Sequence, residues 1–186
     1  MESLGDGSAK WIEAALAELA EGGIERVRVE VLAERLGVTK GGFYRRFRDR
    51  RALLDAMLET WGAGRIAVIH QQTTLGGLSP RERLGALVKL YSERVSAQGI
   101  AIELAIRQWA RTDKPAAAAV ARVDTARLKA VAELYRGLGL SPADAHSRAV
   151  LFYAFIFGQS LLFLEEPARK RASLLAACAE ALTDVS

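Results

Sequence analysis

An all-α fold is predicted for this chain, with an N-terminal three-helix helix-turn-helix domain, a larger C-terminal helical domain and about nine helices in total. Three observations carry the prediction. Apolar residues recur at three- and four-residue spacing in one segment after another. No stretch sustains the apolar-polar alternation of a strand. Residues 28–51, RVEVLAERLGVTKGGFYRRFRDRR, set two short helical patterns on either side of a glycine turn. With 186 residues, 51% of them hydrophobic, the chain can bury a good core as one or two domains.

Residues 1–8 are polar, acidic and Gly-rich, which reads as a flexible tail and not as a signal peptide. Helix 1 is expected near Ser8 to Glu21, with Ile12, Ala15, Leu16 and Leu19 inward and Gly22-Gly23 as its end. The next helix buries Val29, Leu32, Ala33 and Leu36, and Gly37 ends it in the left-handed conformation. Val38 plugs the turn. Thr39 is the expected N-cap of the following helix, which turns Phe43 and Phe47 inward and Lys40 and Tyr44 outward. Asp49 can cap helix 4, whose stripe is Leu53, Leu54, Met57, Leu58 and Trp61. These elements form a helical head at the N-terminal end of the chain.

Two features point that region at nucleic acid. Gly41 and Gly42 cost on the order of 1 kcal/mol each inside a helix relative to Ala, and a close backbone approach to a duplex would explain them. Charge is also concentrated there: between Arg26 and Arg51 nine Lys or Arg face three acids, giving +6, whereas the whole chain is only +4. Such a patch gains affinity for phosphates by releasing counterions. The acidic remainder argues against nucleic-acid contact elsewhere.

Residues 9–58 resemble the N-terminal DNA-binding domain of the TetR family of bacterial transcriptional regulators, through IEAALAELAEGG, VLAERLGVTKGGFYRRF and RALLDAMLE. The resemblance implies that Thr39, Lys40, Gly41 and Gly42 open a recognition helix. It also implies that Tyr44 and Arg45 sit beside phosphates or base edges and that Arg50 begins the next helix near the DNA backbone. Arg45 is the best guanine reader of the set, because its fork can reach O6 and N7 together. Arg28, Tyr44, Arg46 and Arg50 then position the head. Three residues depart from the family pattern: Arg28 stands where a capping Thr or Ser is usual, Phe43 replaces a smaller aliphatic residue, and Arg46 replaces a frequent His.

Residues 59–186 read as a helical regulatory and dimerisation domain. The loop TTLGGLSP marks a boundary near 73–80, and Ser79-Pro80-Arg81-Glu82 is a capping box leading a stripe of Leu84, Leu87, Val88, Tyr91 and Val95. Helices are expected near Ile100 to Arg111 and from about 115 to 136, and Ser141-Pro142-Ala143-Asp144 starts another. Residues 149–164, AVLFYAFIFGQSLLFL, are apolar nearly all round yet shorter than the ~20 residues of a membrane span. A second copy of the chain is the expected cover. Helices of about 145–164 and 167–183 would form a four-helix homodimer interface, which also matches how TetR-like proteins pair. Two-fold symmetry would set the recognition helices about 34–36 Å apart on a palindromic operator.

The resemblance further implies a ligand cavity between helices, with Trp61, Arg65, Glu103, Trp109, Tyr153 and Phe157 as candidate lining, and release from DNA by a small-molecule effector. Gly62 and Gly64 are read as interrupting helix 4 and forming a hinge. His70 and His146 are expected to be exposed, and with one cysteine far from both, no metal site and no cofactor are expected. Cys178 reads as a buried small hydrophobe and fits a reducing cytoplasm. The chain has no Walker, GxGxxG, HExxH or GxSxG motif, and Glu165-Glu166 read as solvated, so no catalytic residues are assigned. The alternatives are a non-sensing architectural DNA-binding dimer and, behind it, a helical-bundle enzyme.

Overall fold

Helix ends fall largely where the capping residues put them. The computed structural model describes residues 6–74, 76–93, 97–162, 165 and 167–184. Among these it forms nine α-helices, one short 3₁₀ helix and no strand. The helices are α1 Asp6–Gly22, α2 Val29–Leu36, α3 Lys40–Tyr44, α4 Arg50–Thr73, α5 Pro80–Glu93, α6 Ala97–Trp109, α7 Lys114–Gly137, α8 Pro142–Leu161 and α9 Ala168–Thr183, with the 3₁₀ helix at Ile24–Arg26. The all-α prediction holds.

Asp49 caps α4 by accepting from the Ala52 amide at 2.8 Å. Ser79 and Glu82 form the capping box: the Ser79 amide donates to Glu82 Oε2 at 2.7 Å and the Glu82 amide to Ser79 Oγ at 3.3 Å. Ser141 Oγ accepts from the Asp144 amide at 3.2 Å to start α8. Gly37 ends α2 at φ 65°, ψ 32°, a conformation that a side chain would strain.

Several expectations are corrected. α1 begins at Asp6, so residues 6–8 are helical and not part of a tail; residues 1–5 lie outside the described residues. Leu16 is only half-buried, and Trp11 and Ala14 occupy the core beside Ile12, Ala15 and Leu19. Thr39 stands at the N-cap of α3 in extended conformation, but its hydroxyl makes no cap bond. Gly62 and Gly64 do not interrupt α4, which runs unbroken through both. Cys178 is half-buried, because the α9 face that carries it is partly open. The side chain of Tyr91, and Val95, Phe163, Leu164 and Glu166, lie outside the described residues.

The fold divides into two units. The first comprises 6–65 with 97–123, the second 66–93 with 124–184. In the first, α1 packs on α2, on the 3₁₀ helix and on α6, and Leu53, Leu54, Met57, Leu58 and Trp61 of α4 are all buried. Arg51 at the start of α4 pairs with Asp113 at 2.7 Å, and Asp113 also caps α7 by accepting from the Ala116 amide at 2.9 Å. In the second unit, Leu84, Leu87 and Val88 of α5 share a core with Val131, Tyr135, Ala149 and Phe152. Tyr135 is fully buried there; its hydroxyl donates to the Leu182 carbonyl at 2.8 Å, and burial pushes its pKa up to about 12.

One carboxylate ties the first unit's N-terminal helices together. Glu18, on the buried face of α1, accepts from Arg26 at 2.7 Å and from Arg35 at 2.6 Å, joining α1 to the 3₁₀ helix and to α2. The hydrogen bond from Arg26 and then that from Arg35 hold its carboxyl below the ordinary 4.5, against the opposing effect of burial. Both arginines are partly exposed, so water screens the cluster. Removing the charge should cost about 1 kcal/mol, not the roughly 3–5 kcal/mol of a fully buried pair. Because the folded value lies below the unfolded one, this stabilisation is complete above about pH 4.5 and is lost as pH falls through the depressed folded value. Glu18→Gln is therefore expected to lower stability by about 1 kcal/mol at neutral pH, with the gap to wild type closing in urea titrations run below about pH 4.5.

Candidate nucleic-acid interface

Helix α3 is five residues long and contains two glycines. Its position comes from one side chain. Phe43 is fully buried, meets Trp11 of α1 edge-on with ring centroids 5.3 Å apart, and lies 5.4 Å from Phe47. Burying a Phe contributes about 2–3 kcal/mol and each aromatic pair about 1 more. Together these offset the roughly 1 kcal/mol per glycine lost in helix propensity. The larger residue at 43 is accommodated by edge contact with Trp11, which the sequence reading did not single out.

With Phe43 inward, Lys40, Gly41, Tyr44 and Arg45 are exposed on the opposite side, and Tyr44 is 60% accessible. The two glycines differ. A Cβ on Gly41 would meet nothing closer than the Thr39 hydroxyl at 3.6 Å, so internal packing does not demand glycine there. Gly42 instead faces inward toward Trp11, 3.9 Å from where its Cβ would stand. Both distances are ordinary van der Waals contact, so internal packing demands glycine at neither position.

The head's cations sort into two groups. Arg26, Arg35, Lys40, Arg48 and Arg51 are each within 3.0 Å of a carboxylate. Lys40 pairs with Glu30 at 2.8 Å, which lowers the Glu30 pKa, but both groups are exposed and the pair is readily exchanged. Among the described side chains, no carboxylate pairs with Lys10, Arg28, Arg45 or Arg46. Arg45 Nε lies 3.4 Å from the Gly41 carbonyl and Arg46 Nη1 donates to the Gly42 carbonyl at 3.0 Å. Arg28 stands at the N-cap of α2 and makes no side-chain cap bond.

Arg50 is exposed at the start of α4 and is also held from within the head. Its Nε donates to the Val27 carbonyl at 2.6 Å and its Nη2 to the Ile24 carbonyl at 2.8 Å, closing the loop between the 3₁₀ helix and α2. The guanidinium therefore braces the start of α2.

The six candidate ligand-lining residues fall in both units. Trp61, Arg65, Glu103 and Trp109 belong to the first unit, Tyr153 and Phe157 to the second. Within the first, buried Glu103 is bracketed by Arg107 at 3.0 Å and Arg65 at 3.4 Å, and Arg65 also donates to the Gly99 carbonyl at 3.0 Å. Trp61 is buried, and its indole N–H meets no acceptor among the described residues. Trp109 instead lines a separate shallow cleft with Ile24, Arg50, Arg51, Leu54 and Asp113. In the second unit, Tyr153 and Phe157 stack 6.2 Å apart beneath Arg127, whose guanidinium carbon is 5.9 and 5.2 Å from the two rings. Arg127 is 2% exposed and was missed. Its signal is visible in hindsight, since it is the one charge in the buried stripe Val123, Arg127, Val131, Leu134. Among the described residues no group of His, Cys, Asp and Glu could hold a metal ion, and no helix is long and apolar enough to cross a membrane.

The sorting of the arginines gives a direct contrast. Arg50→Met should lower the melting temperature by freeing the Ile24 and Val27 carbonyls, whereas Arg45→Ala should leave it unchanged, as read by thermal circular dichroism.

Comparison with known proteins agrees with this geometry. The family described as "Bacterial regulatory proteins, tetR family" matches residues 12–57. The class A tetracycline repressor protein from transposon 1721 of Escherichia coli is 50% identical over 48 residues, 26% of this chain and 22% of the repressor. The chain thus aligns with about a fifth of that relative's length. Likeness in fold extends much further. A putative TetR-family transcriptional regulator from Rhodococcus sp. superposes with TM-score 0.75 at 23% identity, over 96% of this chain and 100% of that one. The fatty acid degradation regulator FadR from Bacillus halodurans does so with TM-score 0.72 at 16% identity, over 99% and 98%. Residues 12–57 thus carry the similarity to the tetR family of bacterial regulatory proteins.

Proposed function

We propose that the chain is a cytoplasmic transcriptional regulator that binds a palindromic operator in double-stranded DNA as a homodimer, acts as a repressor and is released by a small-molecule effector. The head (9–58) is the DNA-binding part and 59–186 the regulatory and dimerising part. The observation that carries this reading is the outward face of α3: Lys40, Gly41, Tyr44 and Arg45 stand exposed on a helix fixed from behind by Phe43. Arg28, Arg45 and Arg46 around it lack carboxylate partners among the described side chains. Arg45 reads a G·C pair, and Arg28, Tyr44, Arg46 and Lys40 grip phosphates.

Self-association is supported by the outer face of α8. Val150, Leu151, Ala154, Leu161 and Leu162 are exposed at helical spacing, and Leu151 is 57% accessible. Leu174 and Ala177 of α9 are exposed as well. Exposed apolar residues grouped on one helix in this way are covered when two copies pair. An effector role is supported by two buried polar groups, Arg127 over Tyr153 and Phe157 and the Trp61 indole N–H.

Gel-shift assays on the DNA upstream of the chain's own gene test the regulator reading; salt-sensitive, sequence-selective retardation is expected, and no retardation at low salt would overturn it. Arg45→Ala should relax discrimination at a single operator position by about 1–3 kcal/mol. An equal loss on every sequence would reduce Arg45 to a phosphate contact. Leu151→Glu should convert a dimer to a monomer in analytical ultracentrifugation and abolish operator binding, while a wild-type monomer at micromolar concentration would remove the dimer.

A further inference from the structure

A cleft of about 360 Å³ opens on the head between the first turns of α1 and the α2–α3 corner. Its walls are Gly7 and Lys10 of α1, Gly42 and Arg46 at the recognition helix, and Trp11 and Val38 beneath. Gly7 and Lys10 are three residues apart and share one face of α1. Arg46 donates to the Gly42 carbonyl at 3.0 Å, and its guanidinium lies across α1 where a Cβ on Gly7 would collide with it. Val38, in the corner, is 48% exposed. The cleft is therefore a cationic rim on an apolar floor, continuous with the face of α3.

We propose that this cleft seats a stretch of DNA sugar-phosphate backbone outside the recognition helix, with Lys10 and Arg46 on one phosphodiester and Val38 against the deoxyribose. The assignment rests on the DNA-binding reading above and adds α1 to the contact surface. Charge decides the occupant. A cation already matched within the protein must give up its carboxylate to neutralise a phosphate, whereas Lys10 and Arg46 pair with no carboxylate among the described side chains and can displace the cations condensed on the DNA without that cost. The apolar floor suits a sugar face. A base edge would leave its hydrogen-bonding groups unmet there, so the contact is blind to sequence. Glycine at position 7 is what lets the Arg46 guanidinium lie across α1.

The test is fluorescence anisotropy on a labelled mixed-sequence duplex and on a duplex from the upstream region, between about 50 and 200 mM KCl. Three proteins are compared: wild type, the double variant Lys10→Gln with Arg46→Gln, and Gly7→Ala. The double variant should flatten the slope of log K against log[KCl] by about 0.9, one phosphate's worth, and lose equal affinity for both duplexes. Gly7→Ala should shift the slope in the same direction by displacing Arg46, while its melting temperature holds or rises, since Ala is the better helix former. A wild-type slope in both variants overturns the proposal, and so does a loss confined to the upstream duplex. Should the double variant melt early, Gly7→Ala alone decides. A wild-type protein that binds neither duplex overturns the regulator reading itself, and is thereby told apart from failure of the cleft alone.

Discussion

Everything the head presents depends on Phe43 being held against Trp11 and Phe47. A five-residue helix has too few internal hydrogen bonds to persist in water, and two glycines weaken it further. Its orientation is therefore inherited from α1 through an aromatic contact. This divides the labour along the chain: α1 and α2 supply rigidity through Glu18, Arg26, Arg35 and the buried leucines, and α3 is left free to carry residues chosen for what lies outside.

The same separation governs charge. A head carrying +6 over 26 residues would repel itself if the cations were unorganised. Five of them are matched by carboxylates on α1, on α2 and around the start of α4, and Arg50 is taken up by two backbone carbonyls. The remainder cluster around the recognition helix and the first turns of α1. Stability and attraction for a polyanion thus draw on different side chains of one type, which the formal count alone does not reveal.

Legibility in the sequence follows the range of the interactions. Capping at Asp49, Ser79 and Ser141 and the stripe of α4 depend on residues within a turn or two, and they were readable. So was the left-handed Gly37. Features that depend on a partner distant in the chain were not: Trp11 on Phe43, Glu18 between Arg26 and Arg35, and Arg50 on the Ile24 and Val27 carbonyls. The reading of Gly62 and Gly64 as a break gave too much weight to local propensity. Neighbours such as Trp61 and Leu58 are buried, and tertiary packing overrides a cost of about 1 kcal/mol per glycine.

Asp113 holds the first turns of two helices at once, accepting from the Ala116 amide of α7 and pairing with Arg51 of α4. A single carboxylate in that position acts like a rivet. If α7 rotates or slides, either its own amide cap or its grip on α4 has to give, and the second lies one residue from the brace that Arg50 provides for α2.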